Sequence, residues 1–528
     1  MLKLDFNERA DSVPQWLKNF SADTSLLWKY PNRAETEALI AQALNAENEN
    51  IFLSNGGDES IDLLFKMCKL KKQSILLPLP AFSQYTHQLS IWRVEHNTIN
   101  CHNDLSINLQ QIALNLKPNQ WLILTRPNNP SGECISEDDL INLIEITQST
   151  QTNIFLDEAY VEFFIENSGI NYALKYDHVI SLRTFSKAYG LAGARLGYLI
   201  GNASLINEFK KYAPPFNVNQ ISLQLANTAL QNNSEVQRYC KIIAINRQLV
   251  FNFLRSCQID VFDGKGNFLL FKLSSKKKVL LSLYLGKHGI QIKTQLEGLP
   301  EYVRITIPEN ITPLFIALQT VFKPDIIGFD MDGVLIDTSQ SYDLCILETV
   351  KYFSKHQLNV DNIQKLRSKG GFNNDWDLTQ GLIQQTGLSI DLDAIISQFQ
   401  KYYLIYKSNE INLLSDLELF NKNYTTAIIT GRPKPEALDG VKQLDIDVDY
   451  IISADDVNNQ KPSPEGINNL KATTKKSRMW FCGDTVDDMQ AGRAANCLCI
   501  GIGKNPENLY AAGADIVLEN INQLGELL

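Results

Sequence analysis

Three residues stand where an apolar run gives way to a turn, and each is of a type that does covalent chemistry. In IIGFDMDGVLID, Asp330 closes such a run and Asp332 follows two residues later, ahead of a glycine. In an extended exit, residues i and i+2 point the same way, so both carboxylates serve one site. One can attack phosphorus while the other handles the proton of the leaving group. Two acids beside a phosphate need a hard divalent cation, for which Mg²⁺ is the expected choice. Later segments supply the other parts. Thr430, which ends the strand in AIITGR, offers a hydroxyl and a backbone N–H to phosphoryl oxygens, and Lys461, in NQKPSPEG, offers a point charge. Asp484 and Asp488, in FCGDTVDDMQAGRAA, can hold the metal.

The third residue is Lys187, in SLRTFSKAYGLAGARLGY. A lysine that bonds a cofactor aldehyde needs a fixed approach and a phosphate cradle beside it. Thr184, Ser186 and Arg195 are the right types for that cradle, and the helix-opening N–H groups of Gly57 and Asp58 in SNGGDESIDLLF form a natural phosphate seat. Asp157, ending the strand of IFLDEAY, suits the protonated nitrogen of a pyridine ring, which makes the ring an electron sink. Tyr160 and Asn129 (in RPNNPSG) suit the ring hydroxyl, and PAFSQY offers Phe82 or Tyr85 to stack on the ring. The set predicts pyridoxal 5'-phosphate.

These residues need rigid elements behind them. Short apolar runs at 75–79, 121–125, 154–157, 179–183, 326–330, 426–430 and 479–484 alternate with helical stretches. Being apolar without strict alternation, they predict parallel strands covered on both faces, with ligands beyond their carboxyl ends. The fold class is therefore α/β. At roughly 150 residues per domain, 528 residues allow two to four units. Lys323-Pro324 ends a helix predicted over 312–322, which places a boundary there: 1–322 and 323–528.

The net charge of −10 argues against nucleic-acid or anionic-membrane partners. Nine scattered cysteines without C-x-x-C spacing read as buried thiols in a reducing compartment. The first residues carry no apolar signal region, and no apolar run approaches a membrane span, so the cytoplasm is the expected compartment. None of the six histidines falls in a motif.

The ordered set YPN, NGGDE, PAFSQY, RPNNPSG, LDEAY, TFSKAYGLAGARLGY and YVRITI resembles fold-type-I aminotransferases over about residues 1–322, and most closely the histidinol-phosphate aminotransferase family. The resemblance implies that Asn7 lies near the substrate and that Arg304 binds its anionic group. It also implies that Tyr30 reaches the cofactor phosphate of a second subunit, hence a homodimer. The substrate would carry a phosphate in place of an α-carboxylate, with glutamate as amino donor. Arg126 departs from the family's first asparagine in NPNNPTG, Ser131 from its threonine and Ile307-Pro308 from its glycine and threonine, and Lys293 replaces a second phosphate-binding arginine.

Residues 325–528 resemble the haloacid dehalogenase superfamily, with all four motifs present. This implies an aspartyl-phosphate on Asp330, metal ligands from Asp330, Asp484 and the Asp332 carbonyl, and Asp488 as a ligand or its neighbour. Asp332 argues for phosphoryl transfer, since dehalogenases lack it. The mostly helical stretch at about 339–416 resembles a cap. Within it GGFNNDW (Gly370, Gly371, Asn373, Asn374, Trp376) is the expected selectivity loop. Together the halves suggest imidazole-acetol phosphate converted to histidinol phosphate and then to histidinol, as in histidine biosynthesis. The alternatives are the same chemistry on phosphoserine or another phosphorylated amino alcohol, or one half serving as a non-catalytic binding module.

Overall fold

In the computed structural model, which describes residues 1–367, 374–415, 424–504 and 506–528, the apolar runs become strands of two sheets. By contact the chain divides into two units: Met1–Ser274 with Gly289–Pro313, and Ser275–His288 with Leu314–Leu528.

The sheet of the first unit runs Ile51–Ser54, Gly197–Gly201, Val179–Thr184, Thr152–Asp157, Gln120–Thr125, Ser74–Leu79 and His96–Asn100. Trp121 and Ile123 join the core on one face with Leu64 and Phe65 of the helix Gly56–Lys71. Leu122 and Leu124 join the other with Leu140 and Leu143 of Glu137–Ser149. Successive strand residues face opposite layers, and since both layers are apolar the alternation vanishes from the sequence. Gly197–Gly201 departs from the parallel expectation and is antiparallel to both neighbours. The segment before it holds only a short 3-10 turn, too little for a crossover. Two smaller pairings, Phe268–Lys272 with Tyr302–Thr306 and Leu2–Leu4 with Ile290–Ile292, carry Arg304 and the segment leading to Asn7.

The second unit has a six-stranded, all-parallel sheet ordered Tyr450–Ile452, Thr425–Ile429, Ile326–Phe329, Met479–Gly483, Leu498–Ile502 and Ile516–Leu518. Asp330, Thr430 and Asp484 each follow the last residue of a strand. Helices Tyr342–Ser354, Val360–Arg367, Asp375–Gln385 and Leu392–Tyr406 form a cap with its own core, including Ile346, Ile363, Leu382 and Phe399. The cap is bracketed by a strand pair, Ile336–Asp337 against Ile411–Asn412. Gly370, Gly371, Asn373 and Asp416 lie outside the described residues. Asn374 caps the helix Asp375–Gln385, accepting from the Trp376 N–H at 2.9 Å.

The unit boundaries by contact cut across chain order. The helix Ser275–Lys287 belongs to the second unit, where Lys287 pairs with Asp515 at 2.8 Å and donates to the carbonyls of Gly513 and Ala514. Most of Thr312–Phe322 joins it, and the buried indole of Trp480 donates to the Thr320 carbonyl at 2.7 Å. No cysteine is disulfide-bonded. Among the described residues no helix is long and apolar enough to cross a membrane.

Candidate active sites

In the first unit a cavity of about 290 Å³ opens beyond the carboxyl ends of the parallel strands. Gly57, Asp58, Phe82, Asn129, Asp157, Tyr160, Thr184, Ser186, Lys187 and Arg195 line it. The Lys187 ammonium donates to the Phe6 carbonyl at 3.0 Å and lies 5.5 Å from the Tyr160 ring centre. Thr184 and Ser186 share a 2.9 Å hydroxyl bond. The Arg195 guanidinium pairs with the Asp58 carboxylate beside Gly56, which opens the helix at φ +80°, a backbone conformation that favours glycine.

Asp157 is buried and accepts from Tyr85 Oη at 2.7 Å and the Ala159 N–H at 3.0 Å. Burial pushes its carboxyl up against both hydrogen bonds, and no salt bridge reaches it among the described residues. A cationic ring nitrogen would supply the missing counter-charge. With a lysine, a hydroxyl pair, an arginine and this buried acid around one cavity, the residues fit pyridoxal phosphate. Of the two aromatic candidates, Phe82 lines the cavity; Tyr85 is fully buried and its hydroxyl holds Asp157. The Tyr160 hydroxyl accepts from Asn7 at 3.1 Å and Asn129 at 3.3 Å.

Arg304 is buried, donates to Asn129 Oδ1 and to the Asp5 carbonyl at 2.6 Å, and keeps Nε without a hydrogen bond. Lys293 bonds the Arg304 backbone in both directions and lies 5.9 Å from the Phe6 ring centre, with Lys3 at 5.0 Å from the same ring. Arg126 has no part in the cavity: its guanidinium binds the carbonyls of Ile135 and Asn167. Tyr30 is 78% exposed and stacks on Phe216 at 4.3 Å, outside the cavity of its own chain.

In the second unit a cavity of about 220 Å³ lies between the strand ends and the cap, lined by Asp330, Asp332, Asp484 and Arg432 below and Tyr342, Asp343, Arg367, Asp375, Trp376 and Glu436 around it. Asp330, Asp484 and Asp488 each offer a carboxylate oxygen within 4.8 Å of the others. Lys461 lies 2.6 Å from both Asp330 Oδ1 and Asp488 Oδ1. Asp488 is also fixed by Thr485, whose hydroxyl donates to it at 2.6 Å in a capping box. Asp484 Oδ1 is buried with no hydrogen bond, and a Cβ on Gly333 would sit 2.1 Å from that carboxylate.

Burial, countered by Lys461, raises Asp330 to about 7, with Asp488 and Asp332 adding repulsion. Burial, with repulsion from Asp488 and Asp330, raises Asp484 well above the usual range. An all-oxygen, charge-repelling set with one unsatisfied oxygen fits a hard divalent cation. Thr430 is buried, and its hydroxyl accepts from the Arg432 N–H at 3.2 Å.

Two consequences follow for the metal-free unit. Because folded Asp330 holds its proton more tightly than the unfolded chain does, stability should fall as the pH rises from the ordinary carboxylate range through about 7. At roughly a hundred times its dissociation constant, Mg²⁺ should restore about 2.7 kcal/mol and flatten that slope. Thermal melts at about pH 5 and about pH 8, in chelator and in Mg²⁺, would test this. Asp484→Asn should lose most of the Mg²⁺ gain; an unchanged gain would place the ion elsewhere.

Sequence reasoning missed Arg432, Glu410, Arg367, Asp343, Asp375 and Glu436. Arg432 directly follows Thr430-Gly431 and was within reach of a motif reading. The cap residues carry no local signal, because the fold brings them to the cavity from separate helices.

Residues 1–315 match the model of the family described as aminotransferase class I and II, and residues 327–502 that of haloacid dehalogenase-like hydrolase. A histidinol-phosphate aminotransferase of Clostridium novyi is 30% identical over 315 residues, covering 58% of this chain and 87% of its own length. That of Methanocaldococcus jannaschii is 30% identical over 277 residues, covering 51% and 74%. The crystal structure of the histidinol-phosphate aminotransferase from Clostridium acetobutylicum shares the fold, with a TM-score of 0.55 at 23% identity, over 60% of this chain and 97% of that one. With one site built around a lysine and a buried acid and the other around aspartates at strand ends, the chain belongs to the class I and II aminotransferases and carries a haloacid dehalogenase-like hydrolase domain behind them, a transaminase joined to a phosphatase.

Proposed function

We propose that the chain transaminates imidazole-acetol phosphate to histidinol phosphate, with glutamate as donor, and then hydrolyses that ester to histidinol, two steps of histidine biosynthesis. The observation that carries the pairing is the wall of the second cavity. Asp343 and Asp375 already share Arg367, at 2.9 and 2.7 Å. Glu436 accepts from Tyr342 and from Gln400 at 3.0 Å, and has no salt bridge among the described residues. An acidic wall with Tyr342 and Trp376 suits an ester that carries an amine and an aromatic ring. An amine is what the first site installs. Phosphoserine, the second reading, would bring a carboxylate to the same wall.

Pyridoxal phosphate, when bound, supplies the electron sink for the first reaction. Lys187 anchors it and moves the proton at the substrate's α-carbon. Asp157 stabilises positive charge on the ring nitrogen, Asn129 and Tyr160 orient the ring, and Gly57, Asp58, Thr184, Ser186 and Arg195 hold its phosphate. Arg304 and Lys293 draw the substrate's anionic end toward Asn7. Exposed Tyr30, with Phe216 and Trp28, belongs to a homodimer face.

In the second site Mg²⁺, when bound to Asp330, Asp484, Asp488 and the Asp332 carbonyl, offsets negative charge. Asp330 attacks phosphorus as the ester P–O bond breaks, and Asp332 gives its proton to the departing oxygen. Water then attacks the phosphorus, returns a proton to Asp332 and frees Asp330 and inorganic phosphate. Thr430 and Lys461 hold the phosphoryl group and the nucleophile.

Phosphate released from histidinol phosphate and from phosphoserine, with Mg²⁺, tests the reading; release from phosphoserine alone would sink it. Glu436→Gln should lower kcat/KM for histidinol phosphate roughly tenfold, the scale of one charged hydrogen bond. The loss should be much smaller for p-nitrophenyl phosphate, and equal losses would remove Glu436 from amine recognition.

A further inference from the structure

Asp332 has two jobs in the proposed hydrolysis, and it must point the same way for both. It gives a proton to the leaving oxygen and then takes one from water. Its side chain is 28% exposed, so packing alone does not fix it. A guanidinium does: Arg432 Nε and Nη2 donate to its Oδ1 at 2.9 and 2.6 Å. The Arg432 side chain is 1% exposed, and its backbone N–H is tied to Thr430 Oγ1 at 3.2 Å. The planar fork is therefore held by the strand-end loop and cannot follow Asp332 about.

The same guanidinium reaches the cap. Nη2 also donates to Glu410 Oε2 at 3.2 Å, and the Glu410 side chain is 2% exposed. Glu410 directly precedes the strand Ile411–Asn412, which pairs with Ile336–Asp337. Its Oε1 accepts from Ser341 Oγ at 3.2 Å, at the start of the first cap helix, and its carbonyl accepts from Gln443 at 3.2 Å. The Tyr342 ring lies 5.0 Å from the guanidinium carbon. One buried arginine thus joins the proton-handling acid to both chain passages into the cap.

We propose that Arg432 is a positioning residue that orients Asp332 for both proton transfers, with Glu410 setting the position of Arg432 from the cap's connecting strands. The proposal rests on the phosphatase reading above. Lysine at 432 would keep the charge and lose the two-pronged grip.

The experiment is a double-mutant cycle on the full chain with Mg²⁺, following phosphate release from histidinol phosphate, or from whichever alkyl phosphate the wild-type protein turns over. Arg432→Lys should lower kcat roughly 10²-fold, the cost of misplacing a reacting group by about 1 Å, with KM within about threefold of wild type. In an Asp332→Asn background the same change should cost less than about twofold, since the group it positions is gone. An equal loss in both backgrounds would show that Arg432 acts on the substrate or the fold and overturns the proposal, as would no loss in the wild-type background. If Arg432→Lys does not fold, Glu410→Gln takes its place. Its roughly tenfold loss of kcat should likewise vanish with Asp332→Asn, and its persistence overturns the proposal. Wild-type protein that releases no phosphate from any ester overturns both the proposal and the phosphatase reading.

Discussion

Asp330→Asn should stop phosphate release, by about 10⁴-fold or more, as removal of a covalent nucleophile does elsewhere. The amide keeps the shape of the side chain and loses the charge that attacks phosphorus. Transamination by the same preparation should continue at the wild-type rate, since Lys187 and its cavity belong to the other unit. The variant should also fold. It removes one of three carboxylates whose oxygens gather within 4.8 Å, and Lys461 keeps Asp488 as a partner at 2.6 Å. Relief of like-charge repulsion offsets the lost ion pair. Wild-type protein quenched during turnover of a labelled ester should carry phosphate on Asp330, and the variant none. Phosphate release at the wild-type rate from Asp330→Asn would end the nucleophile assignment.

Lys187→Ala is the converse experiment, with an effect of similar size on transamination, about 10⁴-fold or more. Lys187 is the only lysine among the described residues lining the first cavity. Its loss frees the Phe6 carbonyl and breaks no ion pair among the described residues, so the unit should stay folded. The expected signature is spectroscopic as well as kinetic: the protein should take up pyridoxal phosphate without the visible absorbance of an amine-bonded cofactor. Phosphate release should be untouched. Persistence of that absorbance in Lys187→Ala would show that another lysine does the work. Together the two variants separate the reactions, and a mixture of the two proteins should regain the sequence from keto phosphate to free alcohol.

The sequence by itself determined the two families and the candidate residues for their chemistry, in the order in which they occur. Lys187, Asp157, Asp330, Asp332 and Asp484 stand at or just beyond strand ends, where a strand two-faced in its burial gives way to polar residues. That is a local signal, read from a few neighbours along the chain. The helix over 312–322 was equally legible, because a proline closes it. Only the tertiary structure decided that the helix Ser275–Lys287 belongs with the second unit, through Lys287 and Asp515. It also decided that Phe82 lines the cavity while Tyr85 holds Asp157, and that Arg126 turns toward backbone carbonyls. The pairing of Asp332 with Arg432 spans 100 residues, and the tie of Arg432 to Glu410 runs from strand end to cap. No periodicity or spacing records such contacts. They arise when strands distant in sequence become neighbours in one sheet and a cap built from other segments closes above them.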